Sequence, residues 1–567
     1  MQNSSENHLS NVPGVRMDLL NSLPLELLIS IFAQLPWSDR RSCLCASRAW
    51  RNWMLKVPQV WWYVEVTRAH ANAIYNLLPK IGRHIEVLVL NFNPNRFMTP
   101  MARGVFKSLK TLKILANKPP GESHMEHDLC LNALRKVSTT LTDLHIDFKL
   151  TPAPPTFTEI RVTCPNLVKL GYHVSYFKSN QAELNSTATI DTSKLVELDI
   201  GTNKAAISIV EMNALLQQYP DLKKLTITKF PYQHILNIVP RHIPNLEFFK
   251  FNRDKNAHYQ DDRFPETLPP IRTLSMHTGK LTSLILMEDD FATPMPWDAL
   301  KSILEQAAPT LQQLHCCFHF TNPRFTKLLG PDPPQFDFPE LTRLKCSVGE
   351  GKSQKYVASL ICNAPKLVAV TIRNYARVQR TADQILDALI SLESLTWLEL
   401  LEQAPKPLNG KKLIDLFKKH AGLKNKAPLQ YVSLSGLFVT SDILLALAKV
   451  TTLRGVDIGS CGPLLDKFIR ALKRLPHFHE IHFMNVRTVT NETLPKFAQL
   501  TKLKKVVLLA CKKINDTGLY KLLNSSQSLK VLEISKGTAR SSKFEEFAKG
   551  KLEKLSIDPY FDDSCIW

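Results

Sequence analysis

A six-residue motif, apolar–x–x–apolar–x–apolar, recurs along most of this 567-residue chain. It opens as "IEVLVL" at Ile85 and "LKTLKI" at Leu109, and closes as "LKVLEI" at Leu529 and "LEKLSI" at Leu552. Between them it returns at Leu141, Leu167, Leu195, Leu222, Leu246, Leu281, Leu311, Leu341, Leu367, Leu395, Leu429, Leu453, Phe478 and Leu503. These 18 lines divide 467 residues into 17 intervals, a period of about 27 residues. A unit of that size cannot bury its own apolar face, so neighbouring units must stack and share a continuous core. Each line reads as a short strand with its apolar positions turned inward. Offsets +2, +4 and +6 then stand on the opposite, open face. Seven lines carry proline two residues ahead of the first apolar position: Pro165, Pro220, Pro244, Pro309, Pro339, Pro365 and Pro476. Proline there stops a helical return segment before the next strand begins.

Spacing and period together are those of leucine-rich repeats. The predicted fold class is therefore α/β: a solenoid over residues 85–557, with parallel strands on its concave face and helices outside. Longer intervals of 32, 35 and 34 residues follow Leu109, Leu246 and Leu395. The stretches "TPAPPTFT" (151–158) and "GPDPPQFDF" (330–338) read as extended, proline-rich loops. In the unit "LKKVVLLACKKINDTGLYKLL", Cys511 stands eight residues past Leu503, as Cys461 does past Leu453. Asn93 and Asn117 occupy the same offset in the first two lines. This resembles the cysteine-containing leucine-rich repeats, and the resemblance implies that these side chains turn inward to satisfy backbone groups at the bend.

Ahead of the repeats lies "SLPLELLISIFAQL", Ser22 to Leu35. Pro24 suits a first helical position, and Leu28, Ile31, Phe32 and Leu35 then share one helix face. Pro36 ends this helix, Ser38 and Asp39 can start a second, and a third holds Trp50 and Trp53. Three short helices cannot bury so much Leu, Ile, Phe and Trp among themselves. Part of that surface must face either the first repeats or a partner.

The segment 20–64 resembles an F-box. The matching residues are Leu23-Pro24, Ile31-Phe32, Leu35-Pro36, Asp39, Ser47-Arg48-Ala49-Trp50 and a closing Trp61 or Trp62. It departs from the family at Arg40-Arg41, where a leucine is usual, and at Ala46, where a valine is common. With the repeats, the resemblance implies an F-box/leucine-rich-repeat protein, the substrate receptor of a Skp–cullin–F-box ubiquitin ligase. Carried over, it makes Leu23, Pro24, Leu27, Leu28, Ile31, Phe32 and Leu35 the contacts to the Skp adaptor, and Trp50 a packing residue of the box. Cullin and RING subunits would join through that adaptor. The expected layout is a leader at 1–17, the three-helix F-box at 18–67, a helical linker or cap at 68–84, the solenoid at 85–557 and a tail at 558–567. A second reading is a repeat scaffold outside any ligase, its front helices a cap buried against Ile85 and Leu109. A third is a basic repeat protein bound to chromatin or RNA.

Charge bears on the substrate. The chain carries a net charge of +21, but residues 1–67 hold only 6 Lys/Arg against 5 Asp/Glu. The excess therefore belongs to the repeats, where it attracts acidic proteins, nucleic acid or acidic lipid. On the six lines from Leu222 to Leu367 the open-face offsets include Lys224, Lys250, Arg343, Lys345 and Arg373, with His315 and Phe248 and no carboxylate. Trp397 and Tyr431 follow at matching offsets. Such a patch would take an acidic or phosphorylated segment of a protein substrate, with the aromatic pair as anchor. A chance clustering of cations in a basic chain is the alternative. The basic stretch from Lys496 to Lys554 reads as a solvated outer face. Nucleic acid is not expected, since no aromatic-rich or zinc module accompanies it.

No phosphate-cradling loop, HExxH, GxSxG or catalytic-cysteine signature is present, and neither cofactor nor metal is expected. The groups "HCCFH" (His315 to His319) and "HFHEIH" (His477 to His482) lie on repeat lines, whose alternation splits them between two faces. Eleven scattered cysteines point to reduced thiols in an intracellular protein, cytoplasmic or nuclear. No run is long enough for a membrane helix.

Overall fold

The computed structural model describes residues 19–92, 94–115, 126–148, 154–174, 194–202, 209–230, 235–253, 280–287, 297–318, 336–349, 352–374, 383–402, 410–426, 428–435, 439–459, 465–535 and 541–558. The leader, residues 559–567 of the tail, Asn93, Asn117, Cys461, His319 and the outer parts of both proline-rich loops lie outside these residues.

Nineteen strands are described, all in parallel ladders, and the chain divides into two compact units at residue 207. In the first unit, β1 (Tyr63–Val66), β2 (Val87–Leu90), β3 (Thr111–Leu115), β4 (Asp143–Phe148), β5 (Lys169–Val174) and β6 (Glu197–Thr202) pair in chain order. In the second, β7 (Lys224–Phe230), β8 (Phe248–Arg253), β9 (Ser283–Met287), β10 (Gln313–Phe318), β11 (Arg343–Val348) and β12 (Ala369–Asn374) open the ladder. It runs on through β13 (Trp397–Glu402), β14 (Tyr431–Ser435), β15 (Gly455–Gly459) and β16 (Glu480–Met484) to β17 (Lys505–Leu509), β18 (Val531–Ser535) and β19 (Lys554–Asp558). Helical return segments join most of the successive strands among the described residues, so each unit is a leucine-rich-repeat solenoid.

The core is what the motif demands. Leu109, Leu112 and Ile114 are fully buried, as are Leu222, Leu225 and Ile227. Each such side chain contributes about 1.5–3 kcal/mol. The proline rule also holds: helices end at Gln217, His242, Ala307, Cys362 and Leu472, just ahead of Pro220, Pro244, Pro309, Pro365 and Pro476. One device joining the repeats follows no apolar pattern. A Ser or Thr just before the line's first apolar residue donates its hydroxyl to the matching carbonyl one repeat back. Thr140 reaches Leu109 O at 2.8 Å, Thr310 reaches Leu281 O at 3.0 Å and Thr452 reaches Leu429 O at 2.8 Å. Ser394 and Ser528 do the same to Leu367 and Leu503. Cys511 is buried, its Sγ 3.5 Å from Leu509 O and 3.8 Å from Phe483 O, at the bend where Ala510 has φ +51°.

The sheet begins one strand earlier than the leucine spacing indicated. Trp61, Val64 and Val66 are buried in the three apolar positions of a further line, and β1 pairs with β2. The stretch from Trp61 to Val66 thus both closes the helical segment and starts the solenoid, and the linker 68–84 is the first return helix, Ala71–Ile81.

Candidate functional site

Ahead of β1 stand α1 (Leu19–Ser22), α2 (Leu25–Gln34), α3 (Trp37–Ala46) and α4 (Arg48–Lys56). Pro24 and Pro36 sit just before α2 and α3, where no N–H is needed, and their carbonyls accept the first helical bonds. Ser47 caps α4, its hydroxyl accepting from Trp50 N at 3.1 Å.

The seven expected adaptor contacts separate into two groups. Leu27 and Ile31 are 52% and 47% exposed, Pro24 is exposed, and Leu23 and Leu35 are half-buried. Leu28 and Phe32 are each only 3% exposed. Leu28 and Phe32, expected among the adaptor contacts, are therefore buried within the chain itself. One helical step carries them inward, where Phe32 meets Trp50 edge-on at 5.4 Å and Trp53 at 5.1 Å. In exchange Leu25 joins the outer face. Of the seven large apolar side chains exposed among the described residues, three are on α2, and no other element has more than one.

Arg40, the departure from the F-box pattern, is buried. Its guanidinium donates to Leu35 O at 2.9 Å, Val60 O at 2.9 Å, Tyr63 O at 3.2 Å and Ala33 O at 2.7 Å. One side chain thereby ties the end of α2 to the start of β1. Trp61 adds a second tie, its indole N–H donating to Met54 O at 2.7 Å, while Trp62 is exposed.

On the second unit, register sets the open face in rows. One row reads Lys250, Ile285, His315, Lys345, Thr371, Glu399, Ser433, Asp457, His482 from β8 to β16. Beside it run Phe248, Ser283, Gln313, Arg343, Ala369, Trp397, Tyr431, Gly455 and Glu480. Charge changes sign between β11 and β13. At that boundary Trp397 and Tyr431 stack, centroids 3.8 Å apart and planes 14° from parallel. A concavity of about 520 Å³ opens there, with His315, Arg343, Lys345 and Trp397 among its walls.

The two halves differ in how their charges are met. On the acidic side Glu480 accepts from His482 at 2.6 Å and from Lys505 at 2.8 Å, and Asp457 accepts from Ser433 at 3.1 Å. The His482 hydrogen bond, with Lys505, holds the Glu480 carboxyl down at about 2. On the basic side, among the described residues, no ion pair meets Lys250, Arg343, Lys345 or Arg373. Burial, with Lys345, Arg373 and Lys250 nearby, holds His315 down at about 4, so it is neutral near pH 7. Burial and then Arg373 lower Lys345, with Glu399 opposing. Of the expected substrate residues the structure thus gathers Arg343, Lys345 and Trp397 round one hollow, with Tyr431 stacked beneath. Lys250 and Arg373 are not in its walls but act electrostatically on His315, which is, and Lys224 stands on β7. His482 was missed as a partner of Glu480, although two residues apart on one strand puts them on one face.

No protein-family model matches the chain, and no curated protein matches it. Among solved structures it is similar to an internalin from Listeria monocytogenes, at 14% identity and TM-score 0.31, covering 66% of this chain and 83% of that one. It is also similar to the yeast Rad7–Elc1 complex, at 12% identity and TM-score 0.35, covering 97% of this chain and 99% of that one.

Proposed function

We propose that the chain is the substrate-recognition subunit of a Skp–cullin–F-box ubiquitin ligase, its α2 face docking on the Skp adaptor. The observation that carries this reading is the exposed set Pro24, Leu25, Leu27 and Ile31. A scaffold whose front helices serve only as a cap requires that face to be buried against Ile85 and Leu109. Apolar surface concentrated on one short helix is the form of a partner site. The unmet cations and the aromatic stack on the second unit suit an acidic or phosphorylated segment of the protein to be ubiquitinated. The chain itself would carry out no chemistry. It would raise the effective concentration of a substrate lysine beside a ubiquitin carrier brought by the cullin and RING subunits. This reading places it inside the cell; among the described residues no helix is long and apolar enough to cross a membrane.

The test is assembly. Purified chain, Skp adaptor and cullin should elute together in size-exclusion chromatography, and Leu27→Glu/Ile31→Glu should leave the chain folded but alone. Failure of the folded native chain to join the adaptor would remove the ligase reading.

A further inference from the structure

On the first unit, β4, β5 and β6 bring two imidazoles and a carboxylate together. The ligand atoms of His145, His173 and Asp199 all lie within 4.8 Å of one another. Register explains the convergence. His145 and Asp199 occupy the same row two strands apart, and the residue between them is Gly171. With no side chain there, the His145 ring leans into the vacant place. A Cβ at position 171 would stand 2.0 Å from His145 Nδ1. His173, two residues further along β5, closes the group, its ring 5.1 Å from that of His145. His173 Nε2 and Asp199 Oδ1 face each other at 3.1 Å, within ion-pair reach, and these two atoms are shut from solvent without a well-aligned hydrogen bond, although the Asp199 side chain as a whole is 38% exposed. Buried polar atoms in that state call for a further partner.

We infer that His145, His173 and Asp199 form a binding site for a divalent ion of the zinc class. Two imidazoles and one carboxylate suit zinc and its late first-row neighbours rather than magnesium or calcium, which take oxygen. Three protein ligands leave a tetrahedral ion one open position. Lys113 lies in register beside His145, and Asp147 lies beside His173 to offset its charge. The site shares no residue with the adaptor and substrate faces described above.

The test uses the full chain, stripped with chelator and titrated with cobalt(II), then competed with zinc. Cobalt separates this site from the chain's cysteines, because a thiolate ligand adds an intense charge-transfer absorption that histidine and carboxylate do not. Expected is one equivalent bound with ligand-field bands alone, displaced by zinc. Asp199→Asn should abolish that equivalent. So should Gly171→Ala, which displaces the His145 ring while changing none of the three ligand residues. Thermal melts of the metal-free variants confirm that each is folded. No binding, binding with the thiolate signature only, or an equivalent unchanged in both folded variants would overturn the assignment.

Discussion

Arg40 shows how one side chain can look wrong in a sequence and be right in a structure. It occupies a position where a leucine was expected, and its four carbonyl acceptors lie between Ala33 and Tyr63. No local pattern announces a link whose far end is 23 residues away. Its aliphatic stem and its fork together replace an apolar packing residue. Arg40→Ala would take the guanidinium from the buried Val60 carbonyl and three part-buried ones and cost about 3 kcal/mol. Arg40→Lys would recover little of that, because an ammonium cannot span the fork's geometry. Hydrogen exchange of the α2 and α3 amides would register the change as a lower opening free energy. Unchanged protection in Arg40→Ala would show that the carbonyls are satisfied without it.

Elements were legible where a period governs them. The strands from β2 to β19, their parallel order and the proline-stopped helices all follow from three apolar positions repeated at nearly constant spacing. β1 was not read because its leading position is Trp61 and not leucine, and because the same tryptophan fits the closing residue of the helical segment. The inner and outer sides of α2 are hidden for a related reason. Ile31 and Phe32 are both apolar, and it is the packing of Phe32 against Trp50 and Trp53 that turns it inward. The charge arrangement on the second unit was half legible: offsets along the strands disclosed its cations, but the partners of its acids needed the register. Two predictions belong at this scale. Glu480, held near 2 by His482 and Lys505, stabilises the fold at pH above its ordinary value of 4.5. That contribution, roughly 1–3 kcal/mol, is lost as pH falls from there toward 2. Glu480→Gln should accordingly be less stable than the native chain at pH 7, and the gap in urea-unfolding free energy should close with acid. A gap that does not change with pH would contradict the ion-pair account. His315 provides the other. Lys345→Met removes one of the cations that lower it, so its imidazole should titrate above about 4 by proton resonance, and an unmoved midpoint would separate it from the basic cluster.

For the whole molecule, the lysines and arginines behind the net charge of +21 have two destinations. Some sit in exposed pairs between repeats, such as Lys110–Glu86 and Lys366–Glu340, where they cancel a carboxylate and contribute little to stability. Others, among the described residues, meet no carboxylate in an ion pair around the hollow beside Trp397, and these belong to the excess. On the proposed reading, the apolar front face and the cationic repeat face would each hold a different protein. The front face is the more decisive of the two, since it separates a ligase receptor from a free-standing repeat scaffold. The most direct measurement is a calorimetric titration of the Skp adaptor into the native chain and into Leu27→Ala/Ile31→Ala. The receptor account predicts tight binding by the native chain. It also predicts a loss of affinity of at least about 10-fold, or 1.4 kcal/mol, in the double variant, with its melting temperature unchanged. Equal affinity in both, or no heat from the native chain, would contradict it.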